Sequence, residues 1–171
     1  MIRNLMKTAR FILPALLLSA LTMTGLVHAD GAHQHADATA TAGAPGKASA
    51  ITRTINIAMG DDMRFSPANV TVKQGETIKF IVANNGKLKH EMVIGSAAEL
   101  AKHAEAMRQM PGMQHQDANQ VTVEPGKSAE LLWRFSKAMT VDFACLEPGH
   151  FEAGMKGSVS VVKSNKAATG K

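Results

Sequence analysis

The chain contains a single cysteine, and a histidine and a methionine follow it at equal intervals. Four residues separate Cys145 from His150, and four more separate His150 from Met155. Thiolate, imidazole and thioether groups are soft or borderline ligands, a mixture that suits copper. Electron-transfer copper is held by two histidines and a cysteine, with a weak axial methionine. A second histidine must then come from upstream, and His90 is the obvious candidate. The alternative is a buried cysteine that lies near a surface histidine by chance.

The residues around these side chains predict how one loop presents them. Residues 140–145 have the composition of a strand that carries the cysteine at its end. Pro148-Gly149 is a turn signal, so the chain can fold back and bring His150 to the same point. Gly154 allows a close approach of the backbone, and the next strand is expected over residues 156–163. A loop between two antiparallel strands would therefore carry three ligands at one pole of a barrel.

These residues resemble the cupredoxin family, in which one early histidine joins a cysteine, a histidine and a methionine from a single late loop. The resemblance covers residues 51–162 and is closest to the exported cupredoxins linked to bacterial copper tolerance. Three segments carry it: Met63-Arg64-Phe65, the run from Lys89 to Gly95, and the run from Phe143 to Met155.

The resemblance implies a role for each ligand of a type-1 copper site. The Cys145 thiolate would form a short and strongly covalent bond to copper. His90 and His150 would complete the trigonal plane. Met155 would be the weak axial ligand that adjusts the reduction potential.

Two neighbours of these ligands depart from better-known cupredoxins. Many members carry Asn directly after the first ligand histidine, where it tethers the two ligand loops, whereas this chain has Glu91. The residue after the cysteine is often Ser or Thr, and here it is Leu146. Because bonds to the ligands and their surroundings adjust a metal site, the sequence leaves open whether the protein is blue or green.

Short β-type runs separated by turns begin at Ile51. Residues 51–57 alternate apolar and polar side chains, as a half-buried strand does. Two hairpins are predicted, one over residues 70–82 and one over residues 120–135. A further strand is predicted at residues 90–94, and two more flank the loop from Cys145 to Met155. The chain is therefore expected to have seven or eight strands. This pattern predicts an all-β Greek-key sandwich or barrel, which agrees with the cupredoxin resemblance.

One segment, residues 96–118, breaks this pattern. Ser96-Ala97-Ala98-Glu99 has the form of a capping box, and a helix is predicted over residues 100–110. This helical insertion carries several soft donors: His103, Met107, Met110, Met113 and His115. They indicate a second, weaker copper site that suits Cu(I). The alternative is that apolar side chains such as Met107 only pack the helix on the barrel.

The amino-terminal segment has the features of a secretory signal. Residues 1–29 combine a basic start, an apolar stretch and a cleavage site before Asp30. The alternative is an uncleaved anchor, for which the apolar stretch is short and interrupted. Residues 30–50 are rich in alanine and predict a disordered linker. Within the linker, His33 and His35 could bind a metal weakly or could belong to a solvated tail.

The mature chain would contain 142 residues, enough for one domain. We expect a cupredoxin domain over residues 51–163, a flexible tail over residues 164–171 and a periplasmic monomer that does not contact the membrane. Loss of the signal removes three basic residues and lowers the formal charge from +5 to +2. That charge is too small to indicate nucleic-acid binding. The lone cysteine excludes an internal disulfide.

Counting ligands excludes other kinds of copper and zinc site. A binuclear copper centre needs two bridging cysteines, and this chain has one. A multicopper oxidase needs histidines on both sides of the type-1 cysteine, where this chain has Ala144 and Leu146. A structural zinc site usually has four strong nitrogen or sulfur ligands and no methionine. The sequence also lacks the usual nucleophile–base motifs, so an enzyme is not expected.

Two functions remain. The Met/His insertion and the histidines of the linker favour a copper-tolerance protein that binds excess copper or uses its one-electron chemistry. The alternative is a plain electron shuttle between periplasmic redox partners, which would dock transiently on an apolar patch around His150. A dedicated shuttle needs no additional soft ligands, so copper tolerance is the preferred prediction.

Overall fold

The computed structural model describes residues 43–109 and 117–164. Its strands are β1 (Ala44–Pro45), β2 (Arg53–Gly60), β3 (Arg64–Ser66), β4 (Asn69–Lys73), β5 (Thr77–Asn84), β6 (His90–Gly95), β7 (Gln120–Val123), β8 (Ser128–Arg134), β9 (Thr140–Ala144) and β10 (Lys156–Val162). One α-helix, α1 (Ala97–Gln109), follows β6, and a short 3₁₀ helix covers Ala48–Ala50.

The strands form two five-stranded sheets. The first has the order β1-β8-β5-β2-β3, and the second has the order β4-β10-β9-β6-β7. Most neighbours are antiparallel, but β2 pairs with β5 and β4 pairs with β10 in parallel. The all-β fold with one helical insertion is therefore confirmed. In the described parts of the chain, no helix is long and apolar enough to cross a membrane.

The core lies between the two sheets because most strands turn their apolar side chains to one side. In β4 the two valines are buried and their polar neighbours are exposed, the period-2 pattern of a half-buried strand. Four aromatic side chains are 0–1% exposed: Phe80, Trp133, Phe135 and Phe143. All six residues of β6 are buried. This strand, which begins at His90, is therefore rigidly held by its surroundings.

Helix α1 begins as the sequence predicts. The Ser96 side chain accepts from the Glu99 amide, and the Glu99 carboxylate accepts from the Ser96 amide, which completes the capping box. The buried side chains of the helix are those of Leu100, Ala104 and Met107. They pack in one apolar cluster with Val93 of β6 and with Ala144 and Leu146 near the end of β9.

The strand count and the linker boundary differ from the predictions. The seven or eight expected strands become ten in the described residues, because β1 and β3 are added. The predicted disordered linker over residues 30–50 is wrong for its last part, residues 43–50. In that part, β1 pairs with the edge of β8, and the Gly46 amide donates to the Leu132 carbonyl. An open strand edge supplied the hydrogen-bond partners that an alanine-rich segment lacks by itself.

Both predicted hairpins are wrong. Strand β4 lies in the second sheet beside β10, whereas β5 lies in the first sheet between β2 and β8. Likewise β7 pairs with β6 in the second sheet, whereas β8 joins the first. The turns at residues 73–76 and 124–127 therefore cross from one sheet to the other. Alternating polarity reports which face of a strand is buried, and it does not report which strand lies alongside.

Candidate metal centre

The predicted ligands meet at one end of the sandwich. His90 is the first residue of β6, and Cys145 directly follows β9. Strands β9 and β10 are antiparallel neighbours, as predicted. The segment between them, residues 145–155, is the ligand loop, and it carries His150 and Met155. Because β6 pairs with β9, His90 lies beside the start of this loop although it is remote in sequence.

Three donor atoms converge within a small volume. The Nδ1 atoms of His90 and His150 lie 3.2 Å apart. The Cys145 Sγ atom lies 3.3 Å from Nδ1 of His150 and 4.0 Å from Nδ1 of His90. All three donors lie within 4.8 Å of one another. His90 and Cys145 are fully buried, and His150 is half-buried.

Met155 closes the ligand loop. The Cys145 amide donates to the Met155 carbonyl at 3.1 Å, and the Met155 amide donates to the His150 carbonyl at 3.0 Å. The side chain of Met155 is fully buried and belongs to the same apolar cluster as Cys145. The structure thus brings the fourth predicted ligand to the same end of the core.

The surroundings of the cysteine sulfur suit a bound cation. The Glu91 amide donates to the sulfur, with 3.4 Å between its nitrogen and Sγ. The Glu147 amide also donates to the sulfur. Burial nevertheless raises the pKa of the Cys145 thiol to about 12. Burial and the neighbouring His90 lower the pKa of His150. A thiolate in this position needs a positive charge beside it, and the soft sulfur with two imidazoles fits copper.

Glu91 links the two chain segments that supply the ligands. Its carboxylate is almost fully buried and accepts from the Leu146 amide at 3.0 Å. It also has a hydrogen bond with the side chain of Thr122, its register partner on β7. Burial raises the pKa of Glu91 to about 7, and the nearby Glu147 adds to the effect. Glu91 therefore makes the connection that Asn makes in many cupredoxins.

Asp61 contacts the first histidine from the other side. Its Oδ1 atom lies 3.3 Å from Nε2 of His90. The same carboxylate accepts from the amides of Lys87 and Leu88. These hydrogen bonds, that of Lys87 first, lower the pKa of Asp61. The carboxylate is therefore ionised at neutral pH.

Two contacts hold the ligand loop from outside, one exposed and one partly buried. The Arg64 guanidinium donates to the Ala153 carbonyl at 3.0 Å. The next residue, Gly154, has a φ of +97°, a conformation that favours glycine. Lys89 forms an ion pair with Glu147 at 2.9 Å. These contacts tie the two ends of the loop to the first residue of β3 and to the residue before β6.

The proposed secondary ligands are only partly described. Met107 is buried in the cluster under helix α1, so its predicted packing role is confirmed, whereas its role as a ligand stays a prediction. His103 is half-buried on the same helix. Five other candidates lie outside the described residues: Met110, Met113, His115, His33 and His35. Helix α1 is also joined to the ligand loop by an ion pair between Arg108 and Glu152.

Sequence reasoning did not find Asp61 and assigned no contact to Glu91 or Arg64. Glu91 carried a signal, because it occupies the position of a known tether. Asp61 lies in the turn Gly60-Asp61-Asp62, and nothing in its sequence context indicates contact with a histidine 29 residues away. Asp61 and His90 meet because β2 pairs with β5. Asp61 directly follows β2, and the loop after β5 leads to His90.

Comparisons with known proteins agree with this site. The model of the copper-binding proteins of the plastocyanin/azurin family matches residues 51–162. The chain is 47% identical over 161 residues to the copper-resistant cuproprotein CopI of Rubrivivax gelatinosus, covering 89% of this chain and 98% of that protein. It is 39% identical over 148 residues to the protein of the same name from Pseudomonas aeruginosa, covering 70% and 81%.

Solved structures with a similar fold include auracyanins. Dithionite-reduced auracyanin from Roseiflexus castenholzii matches with a TM-score of 0.57 and 27% identity, over 66% of this chain and 98% of that one. Auracyanin B matches with a TM-score of 0.58 over 70% and 96% of the two chains. Its identity of 18% supports the fold alone.

Proposed function

The chain belongs to the plastocyanin/azurin family of copper-binding proteins, and we propose that it is an exported type-1 copper protein of copper tolerance. In this proposal, His90, Cys145, His150 and Met155 bind one copper ion. The protein acts in the periplasm by binding copper, by one-electron chemistry or by both. It is a monomer and not an enzyme.

One observation carries the proposal. Two imidazole Nδ1 atoms and a buried sulfur approach within 4.8 Å of one another at the end of a rigid β-sandwich. Copper bound there supplies a Cu(II)/Cu(I) couple. The chain contributes fixed donor positions, because backbone hydrogen bonds and the Glu91 carboxylate hold the two ligand segments together. Fixed donors need little rearrangement when the charge of the site changes.

Tolerance is favoured over simple electron transfer by the relatives and by the insertion. Two similar proteins carry the name copper-resistant cuproprotein. The chain also has soft donors beyond the four proposed ligands, in the helical insertion and in the amino-terminal segment. These donors would bind further copper, most readily as Cu(I).

The export proposal rests on the amino-terminal sequence. Residues 1–29 have a basic start, an apolar stretch and a small-residue cleavage site. Cleavage before Asp30 would release the mature protein into the periplasm, where it would meet excess copper and a redox partner. Sequencing the amino terminus of the exported protein tests this part directly.

A plain electron shuttle is the second candidate, and the exposure around His150 favours it. Cys145 is fully buried, whereas His150 is half-buried and follows the exposed Pro148 and Gly149. Leu88, before the first histidine, is 47% exposed. An apolar rim next to an accessible ligand suits brief encounters with a redox partner.

Metal content and the optical spectrum of the mature protein test the proposal. We expect one copper per type-1 site and an intense visible charge-transfer absorption from the thiolate. Cys145→Ser should abolish this absorption, because an alcohol cannot supply the thiolate donor. It should also lower the copper tolerance of the host at equal amounts of exported protein. A colourless wild-type protein fully loaded with copper would reject the type-1 assignment.

A further inference from the structure

The two ring nitrogens of His90 face different partners. Nδ1 points to the other two donors, 3.2 Å from Nδ1 of His150. Nε2 lies 3.3 Å from Oδ1 of Asp61. The ring is fully buried, so it cannot exchange these partners for water. An Nε2–H that donates to Asp61 leaves the Nδ1 lone pair directed at the metal site.

The Asp61 carboxylate is itself immobilised. The Lys87 amide donates to Oδ2 at 2.8 Å, and the Leu88 amide donates to Oδ1 at 3.1 Å. The carboxylate also lies against the backbone at Gly86, where an added Cβ would stand 2.1 Å from Oδ1. Only glycine therefore allows the loop after β5 to close around this side chain.

The loop that contacts Asp61 is anchored in the core. The side chain of Asn84 is buried and donates to the carbonyls of Leu88 and Val123. Its Oδ1 atom accepts from the Gly86 amide. The segment from Asn84 to His90 thus holds the carboxylate on one side and presents the histidine on the other.

From this geometry we propose that Asp61 is a positioning residue that orients His90 and lowers the reduction potential of the copper site. A carboxylate on the second nitrogen of a metal-bound histidine fixes the tautomer and increases the basicity of the ligand. Its negative charge also favours Cu(II) over Cu(I). The inference rests on the proposed role of His90 as a copper ligand.

A purely structural role for Asp61 would predict a different outcome. If the carboxylate only holds the loop through the amides of Lys87 and Leu88, its removal would lower the stability of the metal-free protein. The reduction potential of correctly folded protein would then be unchanged. The reduction potential and the exchange rate of the His90 ring proton therefore distinguish a positioning role from a purely structural one. Stability alone does not distinguish them.

Four variants form the test. Asp61→Asn removes the charge and retains an oxygen for the hydrogen bonds, whereas Asp61→Ala removes both. Gly86→Ala leaves Asp61 in the chain and displaces its carboxylate through the 2.1 Å overlap. Asp62→Asn is the matched control, because Asp62 is an acid of the same turn and of similar exposure, whereas the carboxylate at Nε2 of His90 is that of Asp61.

The first readout is the reduction potential, measured by titration of the visible absorption. In Asp61→Asn we expect the ratio of Cu(I) to Cu(II) affinity to rise about tenfold, which equals about 59 mV for one electron. Gly86→Ala should also raise the potential. Asp62→Asn should give less than about half of this shift, because Asp61 is the carboxylate in contact with His90, and water and salt screen an exposed charge that lacks such a contact.

The second readout is the Nε2 proton of His90, observed by nuclear magnetic resonance in the diamagnetic Cu(I) protein. We expect slow exchange in the wild type and in Asp61→Asn, and fast exchange in Asp61→Ala and Gly86→Ala. Equal potentials in Asp61→Asn and Asp62→Asn, or unchanged proton exchange in Asp61→Ala, would overturn the proposal. A wild type without visible absorption would instead reject the type-1 assignment on which the proposal rests.

Discussion

The Glu91 carboxylate accepts a hydrogen bond from the Leu146 amide at 3.0 Å. The residue after the first histidine therefore holds the residue after the cysteine, although 55 positions separate them. The amide of Glu91 also donates to the cysteine sulfur. An ionisable side chain consequently lies, almost fully buried, between the two segments that supply the ligands.

The pH dependence of stability should reveal this carboxylate in the metal-free protein. Its pKa is about 7 in the folded chain, against an ordinary value of 4.5 for a glutamate side chain. The folded state therefore holds a proton that the unfolded state has released, so stability falls as pH rises from 4.5 to about 7. The loss amounts to about 3 kcal/mol at most.

Glu91→Gln should remove this loss and retain the oxygen that accepts from Leu146. Denaturant unfolding of both metal-free proteins at about pH 5 and about pH 8 measures the effect. Glu124→Gln, at an exposed carboxylate, is the control and should keep the wild-type dependence. The same pH dependence in Glu91→Gln and wild type would contradict the prediction.

Met155→Leu should retain copper and colour and raise the reduction potential. Loss of a weak axial thioether in an apolar pocket favours the less charged Cu(I) form. We expect the reduction potential to rise by at least about 59 mV, which equals a tenfold change in the ratio of Cu(I) to Cu(II) affinity. Leu and Met are similar in volume, so stability should change by less than about 1.5 kcal/mol. Loss of all copper would show that Met155 is a main ligand or that its assignment is wrong.

The joint replacement of Met107, Met110 and Met113 by Leu separates a tolerance protein from a plain shuttle. Wild-type protein should bind more than one copper per chain under reducing conditions. The triple variant should keep the visible absorption and the packing of helix α1, because Leu fills the volume of Met. Its Cu(I) stoichiometry and the copper tolerance of the host should fall. Full stoichiometry with full tolerance would favour the electron shuttle.

Asn84→Ala should destabilise the metal-free protein by about 1–3 kcal/mol, because it leaves one buried and one partly buried carbonyl group without their donor. The affected groups are the carbonyls of Leu88 and Val123. Thermal or denaturant unfolding measures the change. Asn56→Ala, at an exposed position of β2, should change stability by less than about 0.5 kcal/mol. A similar effect of both substitutions would show that the buried side chain has no special role.

The ligand loop could be predicted because its chemistry is local. Cys145, His150 and Met155 lie on one short segment, and Pro148-Gly149 indicated the turn between two strands. The capping box of helix α1 was predictable for the same reason, since both partners lie within one turn. His90 followed from the need for a second imidazole, and the structure brings it to the cysteine.

Residues 70–82 and 120–135 show where local pattern fails. Val70 and Val72 correctly indicated a half-buried strand, but the following turn could lead back along the same sheet or across to the other. Sheet choice depends on packing energy summed over the whole core, which no short segment contains. The same limit applies to residues 43–50, because their regular structure depends on pairing with the edge of β8.

The amino-acid sequence by itself determined the donor types, their spacing in one loop and the alternation that makes the chain a β-sandwich. Only the tertiary structure decided that Asp61 lies on His90 and that the Glu91 carboxylate holds the Leu146 amide. These contacts join residues far apart in the chain, so their geometry depends on strand order and register. A hydrogen bond acts over about 3 Å, and only the folded sheets set distances on that scale.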